Sequence, residues 1–215
     1  MTASTIDRRT ALRLGVLGIA TLPFVSRLAS ASDMSAAAPV RSFGDALIAT
    51  MRAGSQRVPF SQRFAMLAPA IDRAFDLETI LRVSVGPQWS TLPAGQQAAL
   101  ATAFRNYTVA NFVANFDSYN GQSIQISPEA RLQPSGDQVI STRLGTPGGE
   151  STVLAYVMRP TSAGWKAVDV LAGGSISRVA TQRSDFRSLL ASGGGSALVA
   201  SLQNKVSVLS GGSLA

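Results

Sequence analysis

The chain has 215 residues, of which 46% are hydrophobic and only 14% are charged, and its formal net charge is +7. This composition supplies a sizeable core and is too poor in charge for a disordered chain. The sequence contains no Cys and no His, which excludes a Cys nucleophile, a Ser-His-Asp triad, a thiolate cluster and a His-ligated zinc site. Its basic residues are scattered, so no nucleic-acid-binding stripe is indicated.

Residues 1–31 have the organisation of an export signal. Arg8-Arg9 precede an apolar stretch, Leu14–Val25, that is too short to span a bilayer, and Ala29-Ser30-Ala31 forms a small-x-small cleavage site. The paired Arg favours the twin-arginine route over the general secretory route, which stays open as the alternative. We therefore expect a periplasmic protein whose signal is cleaved near Ala31, followed by a flexible lead-in over residues 32–39.

A single domain is predicted over residues 40–210, and it begins with helices. Apolar residues recur at helical spacing after Val40 and again after Pro59, and Asp76 is a predicted N-cap of a third helix. The longest helix is expected over residues 94–119, with a broad aromatic stripe. Such a stripe predicts core packing first, and it is also compatible with the wall of a cavity.

From Gly121 onward the apolar period changes from that of a helix to two, which is typical of strands. Four strands are predicted as an antiparallel meander: Gln122–Ser127, Gln138–Leu144, Glu150–Arg159 and Gly164–Ala172. Two further helical segments, over residues 185–190 and 198–209, are separated by three consecutive Gly. Helices before and after an antiparallel sheet predict an α+β fold.

The segment Gly164–Ser177 places a carboxylate, Asp169, inside an apolar strand. Strict alternation would put Val168 and Val170 on one face, toward an apolar interior, and Asp169 on the other. A lone acid in this position is expected to pair with an Arg or a backbone N–H, and Ser175 is expected in a turn. The chain has no G-x-S-x-G, no S-x-x-K and no nucleotide-binding loop. We therefore expect no enzyme, and a hydrolase using Asp169 is the less favoured alternative.

Several segments, taken in order, resemble the MlaC or toluene-tolerance family of periplasmic lipid-binding proteins. The resemblance rests on Phe75-Asp76-Leu77, on Tyr119-x-Gly121-Gln122 followed by Ser127-Pro128-Glu129, and on Trp165, Asp169-Val170 and Gly174-Ser175. It covers roughly residues 43–202. One departure is Pro93, which stands where the family usually has a Ser or Thr cap.

The resemblance implies an NTF2-like twisted antiparallel sheet, of about four strands here, with N-terminal and C-terminal helices packed on it. It implies an apolar cavity between the layers that holds the acyl chains of a phospholipid cargo, with no cofactor, no metal and no catalysis. The implied partners are an inner-membrane MCE/ABC transporter complex and an outer-membrane lipoprotein complex, as in the maintenance of outer-membrane lipid asymmetry. A carrier associated with hopanoid biosynthesis, which would hold a hopanoid-like lipid, is the alternative.

Eight apolar or aromatic residues are the candidate lipid-binding wall, although ordinary core packing is the simpler interpretation of any one of them. They are Leu67, Phe104, Tyr107, Val139, Tyr156, Val168, Val170 and Ile176. Arg63, Arg82 and Arg178 are candidate headgroup or partner contacts, with a solvated surface position or pairing with Asp169 as the simpler alternative for each. A scaffold with a filled core and no ligand remains a further alternative.

Overall fold

The computed structural model describes residues 26–214, with side chains from Ala36 onward. Its helices are α1 (Ser26–Ser55), α2 (Phe60–Ala74), α3 (Leu77–Val85), α4 (Ala94–Asn115) and α5 (Arg178–Leu209), with a 3₁₀ helix over Gly86–Thr91. Its strands are β1 (Ser123–Leu132), β2 (Gln138–Gly145), β3 (Ser151–Thr161), β4 (Gly164–Ala172) and β5 (Ile176–Ser177). Among the described residues, no helix is both long and apolar enough to cross a membrane. The predicted export signal lies outside the described residues as far as residue 25.

The sheet is an antiparallel meander in which each strand pairs with the next along the chain, in the order β1-β2-β3-β4-β5. The α+β fold with an antiparallel sheet is therefore confirmed. The sheet has five strands rather than about four, because the two residues Ile176 and Ser177 pair back onto the end of β4. So short a strand carries no periodicity that a sequence could reveal.

The two faces of the sheet carry two separate apolar clusters. Ile140 and Tyr156 are paired across β2 and β3 and belong to the main core beneath the helices. Their neighbours Val139 and Val157 are also paired, and they belong to a second cluster with Ala155 and Val168. Because successive side chains of a strand point to opposite faces, β3 is apolar on both sides, as its sequence predicts.

Helix α1 extends through residues 32–39, where the sequence pattern predicts a flexible lead-in. Ala36 and Ala37 are buried in the main core, and Pro39 lies inside the helix. Ala has the highest intrinsic helix propensity, which favours a helix over this segment. Burial of Ala36 and Ala37 stabilises the helix further through tertiary packing, and the small and polar composition on which the flexible lead-in is predicted does not reveal that packing. The domain therefore includes at least part of the segment expected to be loose.

Some helix ends follow their sequence signals, whereas α4 ends at Asn115 rather than at residue 119 and α5 begins at Arg178 rather than at residue 185. Asp76 caps α3, since its carboxylate accepts a hydrogen bond from the Thr79 backbone N–H at 3.0 Å. Helix α5 contains a break at Gly193 and Gly194, where the backbone leaves helical geometry. Gly194 has φ of +64° and ψ of −159°, a region that essentially only Gly adopts. The two predicted C-terminal helices are thus one long element with a kink.

Candidate functional site

A cavity of about 440 Å³ lies between α4 and the helix-covered face of the sheet. One side is formed by α4, the opposite side by β3 and β4, and the remaining sides by α3 and the first turns of α5. Its lining residues are Phe75, Leu77, Ile80, Phe104, Tyr107, Thr108, Asn111, Phe112, Asn115, Phe116, Leu154, Tyr156, Asp169, Val170, Ala172, Arg178, Val179 and Gln182. A volume in this range is typical of small-molecule sites.

Helix α4 contributes its side of the cavity through residues spaced four apart. Phe104, Thr108, Phe112 and Phe116 form one such row of lining residues. Residues separated by one turn lie above one another on a helix face. The Thr108 hydroxyl donates to the Phe104 carbonyl at 2.9 Å, so the polar member of this row is satisfied within the helix. The row therefore presents an almost entirely apolar surface.

Interlocked aromatic rings form the deep wall of the cavity. Phe43 on α1 contacts Phe75 and Phe112 edge-on, each with ring centroids 5.1 Å apart. Phe75 in turn lies 6.2 Å from Tyr156 and 6.0 Å from Phe112. Edge-to-face pairs contribute about 0.5–1.5 kcal/mol each beyond the area they bury. The wall is thus held by several contacts that connect α1, α4 and β3.

The polar lining residues mark where the cavity meets solvent. Among the lining residues only Asn115 and Arg178 are exposed, whereas Asn111 and Gln182 are half-buried. The Asn115 amide donates to the Asn111 carbonyl oxygen at 2.7 Å, and Gln182 accepts a hydrogen bond from the Ser84 hydroxyl at 3.4 Å. The cavity therefore combines a mostly apolar lining with a few polar side chains that reach solvent.

Asp169 lines the cavity but is fully engaged in a structural role. Its carboxylate accepts hydrogen bonds from the backbone N–H groups of Val170, at 2.7 Å, and Val179, at 3.1 Å, and from the Ser177 hydroxyl. These bonds attach the start of α5 to β4. Ser175 lies in the turn between β4 and β5. Pairing of Asp169 with backbone N–H groups agrees with the prediction from sequence.

The structure brings together four of the eight candidate lipid-binding residues. Phe104, Tyr107, Tyr156 and Val170 all line the cavity. Leu67 is fully buried in the main core without reaching the cavity, and Ile176 is 64% exposed on β5. Val139 and Val168 lie in the second cluster, on the opposite face of the sheet. Of the three candidate Arg, only Arg178 lines the cavity.

A β-bulge explains why Val168 and Val170 lie on different faces, contrary to the predicted alternation. Val157 pairs with Asp169, but Met158 pairs with Ala167, so Val168 is an extra residue on β4. An inserted residue reverses the face of every side chain beyond it. Ala167 and Val170 consequently face the main core, and Val168 faces the second cluster.

Several cavity residues are absent from the eight candidates, although one signal could have located some of them. The i, i+4 row on α4 that starts at Phe104 predicts Phe112 and Phe116 as its continuation. No comparable signal identifies Leu154 or Ile80, because an apolar residue looks the same in sequence whether it meets another side chain or an open space.

A larger recess of about 600 Å³ lies on the other side of Phe75 and Leu77, which line both spaces. Its walls carry a bidentate ion pair in which the Arg105 guanidinium donates to the Asp72 carboxylate at 2.6 and 2.8 Å. Asp76, Glu78 and Lys166 are further charged lining residues. This recess therefore suits water or polar groups, in contrast to the apolar cavity beside it.

Comparisons with known proteins agree with this architecture. A search of curated proteins finds no match. A solved structure of the phospholipid-binding protein from Ralstonia solanacearum, in complex with a phospholipid, superimposes with a TM-score of 0.70 at 20% sequence identity. The match covers 81% of this chain and 98% of that chain. The family model described as MlaC protein matches residues 41–204. The chain belongs to the MlaC family.

Proposed function

We propose that this protein is a periplasmic carrier that binds phospholipid by its hydrocarbon and moves it between membranes. The observation that carries the proposal is the cavity between α4 and the sheet, which is lined mostly by apolar side chains and is open to solvent. Membership in the MlaC family supports it, as does the likeness in fold to a protein that was solved with a phospholipid bound.

The physics of lipid transfer matches what the cavity offers. Each methylene removed from water contributes about 0.8 kcal/mol, so a lipid crosses an aqueous space only if its hydrocarbon is covered. A bilayer provides the same shelter as a protein interior, and the carrier therefore needs a slot that makes few polar demands. The lining of α4, β3 and β4 is of this kind, since most of its residues are apolar or aromatic.

The proposal includes a location and partners. The export signal expected over residues 1–31 would deliver the chain to the periplasm. There it would receive or deliver lipid at an inner-membrane MCE/ABC transporter complex and exchange it with an outer-membrane lipoprotein complex. This route corresponds to the maintenance of lipid asymmetry that the family resemblance implies.

Binding rather than catalysis is the activity we propose. The cavity contains one carboxylate, Asp169, and all three of its hydrogen-bond donors belong to the junction of β4 and α5. Asp169→Asn is therefore expected to lower the stability of the fold, and no activity of a lipid hydrolase is expected to depend on this residue. Loss of a measurable hydrolase activity in a well-folded Asp169→Asn protein would favour the enzyme alternative.

The decisive experiment is purification without detergent, followed by native mass spectrometry and lipid extraction. The expected result is protein carrying phospholipid, and uptake of phospholipid from vesicles after the bound lipid has been removed. If the protein carries no lipid and takes up none from vesicles, the proposal is wrong. Extraction of a hopanoid instead would retain the carrier but change its cargo.

A further inference from the structure

One hydroxyl in the lining of the cavity lacks a hydrogen-bond partner. Tyr156, on β3, is 4% exposed and is the only buried residue with a polar side chain among the described lining residues. No group in the described part of the chain donates a hydrogen bond to its hydroxyl or accepts one from it. Buried tyrosine hydroxyls usually have a partner, so this one requires an explanation.

The Tyr156 hydroxyl borders the cavity. Within the described residues, the Gln138 side-chain oxygen is the only fully enclosed side-chain nitrogen or oxygen without a partner. The Tyr156 hydroxyl also has no partner and is therefore not fully enclosed. The space that Tyr156 lines is the cavity between α4 and the sheet. A molecule bound in this cavity can therefore reach the hydroxyl oxygen.

The other polar groups of the lining have partners or meet water. The Thr108 hydroxyl donates to a backbone carbonyl of its own helix, and the Asp169 carboxylate accepts three hydrogen bonds at the junction of β4 and α5. Asn115 and Arg178 are exposed, so water solvates them. Tyr156 differs from these residues because it combines burial with an unused donor.

The surroundings of Tyr156 offer its hydroxyl no side-chain acceptor. Its ring centroid lies 6.3 Å from that of Phe43 and 6.2 Å from that of Phe75, and Val170 lies opposite it on β4. Burial raises the pKa of Tyr156, so the hydroxyl keeps its proton and can donate. The protein thus presents a hydrogen-bond donor within a mostly apolar lining.

We propose that Tyr156 is a specificity-determining residue whose hydroxyl donates a hydrogen bond to an oxygen on the hydrocarbon of the cargo. The substrate class is a phospholipid with a hydroxyl or keto group along an acyl chain, as distinct from a plain phospholipid without such a group. This inference rests on the proposed carrier function and specifies the cargo of its cavity. An oxygen in the hydrocarbon of a bilayer has no water to bind, so pairing with Tyr156 favours transfer of such a chain into the protein.

The test compares the delipidated wild type with Tyr156→Phe, which keeps the aromatic ring and removes only the hydroxyl. The probes are distearoylphosphatidylglycerol and a positional series of the same lipid with a keto or a hydroxyl group on a stearoyl chain. Titrations measure Kd for each lipid. At the matching chain position, the wild type should bind the oxygen-bearing lipid about fivefold more tightly than the plain lipid, which corresponds to about 1 kcal/mol for a neutral hydrogen bond. Tyr156→Phe should lose this preference and bind the plain lipid as the wild type does.

The matched control is Tyr107→Phe. Tyr107 also lines the cavity, but it is half-buried, and the Lys205 ammonium lies 5.4 Å from the centre of its ring. This substitution removes a lining hydroxyl of the same chemistry from a more accessible position. The control should keep the wild-type preference at the matching position, so that the loss is specific to Tyr156.

The possible outcomes are distinct. A wild type without preference at any chain position, or a preference that persists in Tyr156→Phe, would overturn the inference and leave the carrier function standing. Equal weakening of plain and oxygen-bearing lipids in Tyr156→Phe would also overturn it, because the hydroxyl would then bind an oxygen common to all phospholipids. Binding of none of the lipids by the wild type would count against the carrier function itself. If Tyr156→Phe does not fold, the dependence of wild-type binding on the position of the oxygen still decides the question.

Discussion

Val170→Phe should shorten the longest acyl chain that the protein accommodates. Val170 lines the cavity from β4, where it pairs with Tyr156. Phe has about four more carbons than Val, and at about 25 Å³ per carbon the new side chain occupies about 100 Å³ of the cavity. The capacity of the cavity should therefore fall by about four carbons.

The magnitude follows from the hydrocarbon that no longer fits. Four excluded methylenes at about 0.8 kcal/mol each weaken binding of a long chain by about 3 kcal/mol, which is roughly a 200-fold increase in Kd. Phosphatidylglycerols whose acyl chains end within the remaining space should bind the variant and the wild type alike. The assay is a titration of delipidated protein with a series of increasing chain length.

The matched control for this variant is Val208→Phe, because Val208 is 71% exposed near the end of α5 and does not line the cavity. It should show the wild-type dependence on chain length. Thermal unfolding of both variants provides a second check. A phenyl ring that enters the open cavity should not cause the loss of about 1–3 kcal/mol of stability that is typical of overpacking a filled core. The same chain-length profile in Val170→Phe and wild type would refute the reasoning.

Three further substitutions test individual groups. Burial raises the pKa of Tyr156, so its hydroxyl stays protonated up to pH 9. Vesicle uptake by the wild type should therefore show no titration of this group up to pH 9, and Tyr156→Phe should take up plain phospholipid as the wild type does. The hydrogen-bonded Arg159 guanidinium holds the pKa of Asp137 below its ordinary value. The pair therefore stabilises the fold above about pH 4 and loses this contribution as the pH falls through the depressed pKa. Asp137→Asn should lower the free energy of unfolding by about 1–2 kcal/mol at pH 7 and flatten its acid dependence, as denaturant titrations would measure. Asp169→Ala should cost about 1–3 kcal/mol and increase hydrogen exchange at the start of α5, and unchanged exchange there would contradict its structural role.

The fold could be predicted from sequence because each element carries its own local signal. The change from helical period to alternation at Gly121, the turn residues between strands and the Asp76 cap all act over a few residues, and the structure follows them. The start of α1 could not be predicted in this way. Ala36 and Ala37 are buried by contacts with distant parts of the chain, and a small apolar residue reveals nothing of such contacts.

The candidate site was only partly predictable because one geometric detail controls it. Alternation along β4 predicts that Val168 and Val170 share a face, and the bulge opposite Val157 separates them. A bulge adds a residue without any distinctive sequence signal at this position, so the error is inherent in a period-two pattern. The row on α4 from Phe104 to Phe112 could be predicted, since a regular helix preserves the spacing that its sequence displays.

The most direct test of the central claim maps where a bound acyl chain lies. A phospholipid with a diazirine in one acyl chain would be loaded into the delipidated protein, activated by light and located by peptide mass spectrometry. Cross-links are expected on α4 between Phe104 and Phe116, and on Leu154, Tyr156 or Val170 across the cavity. Cross-links confined to the opposite face of the sheet, around Val139 and Val168, would contradict the account.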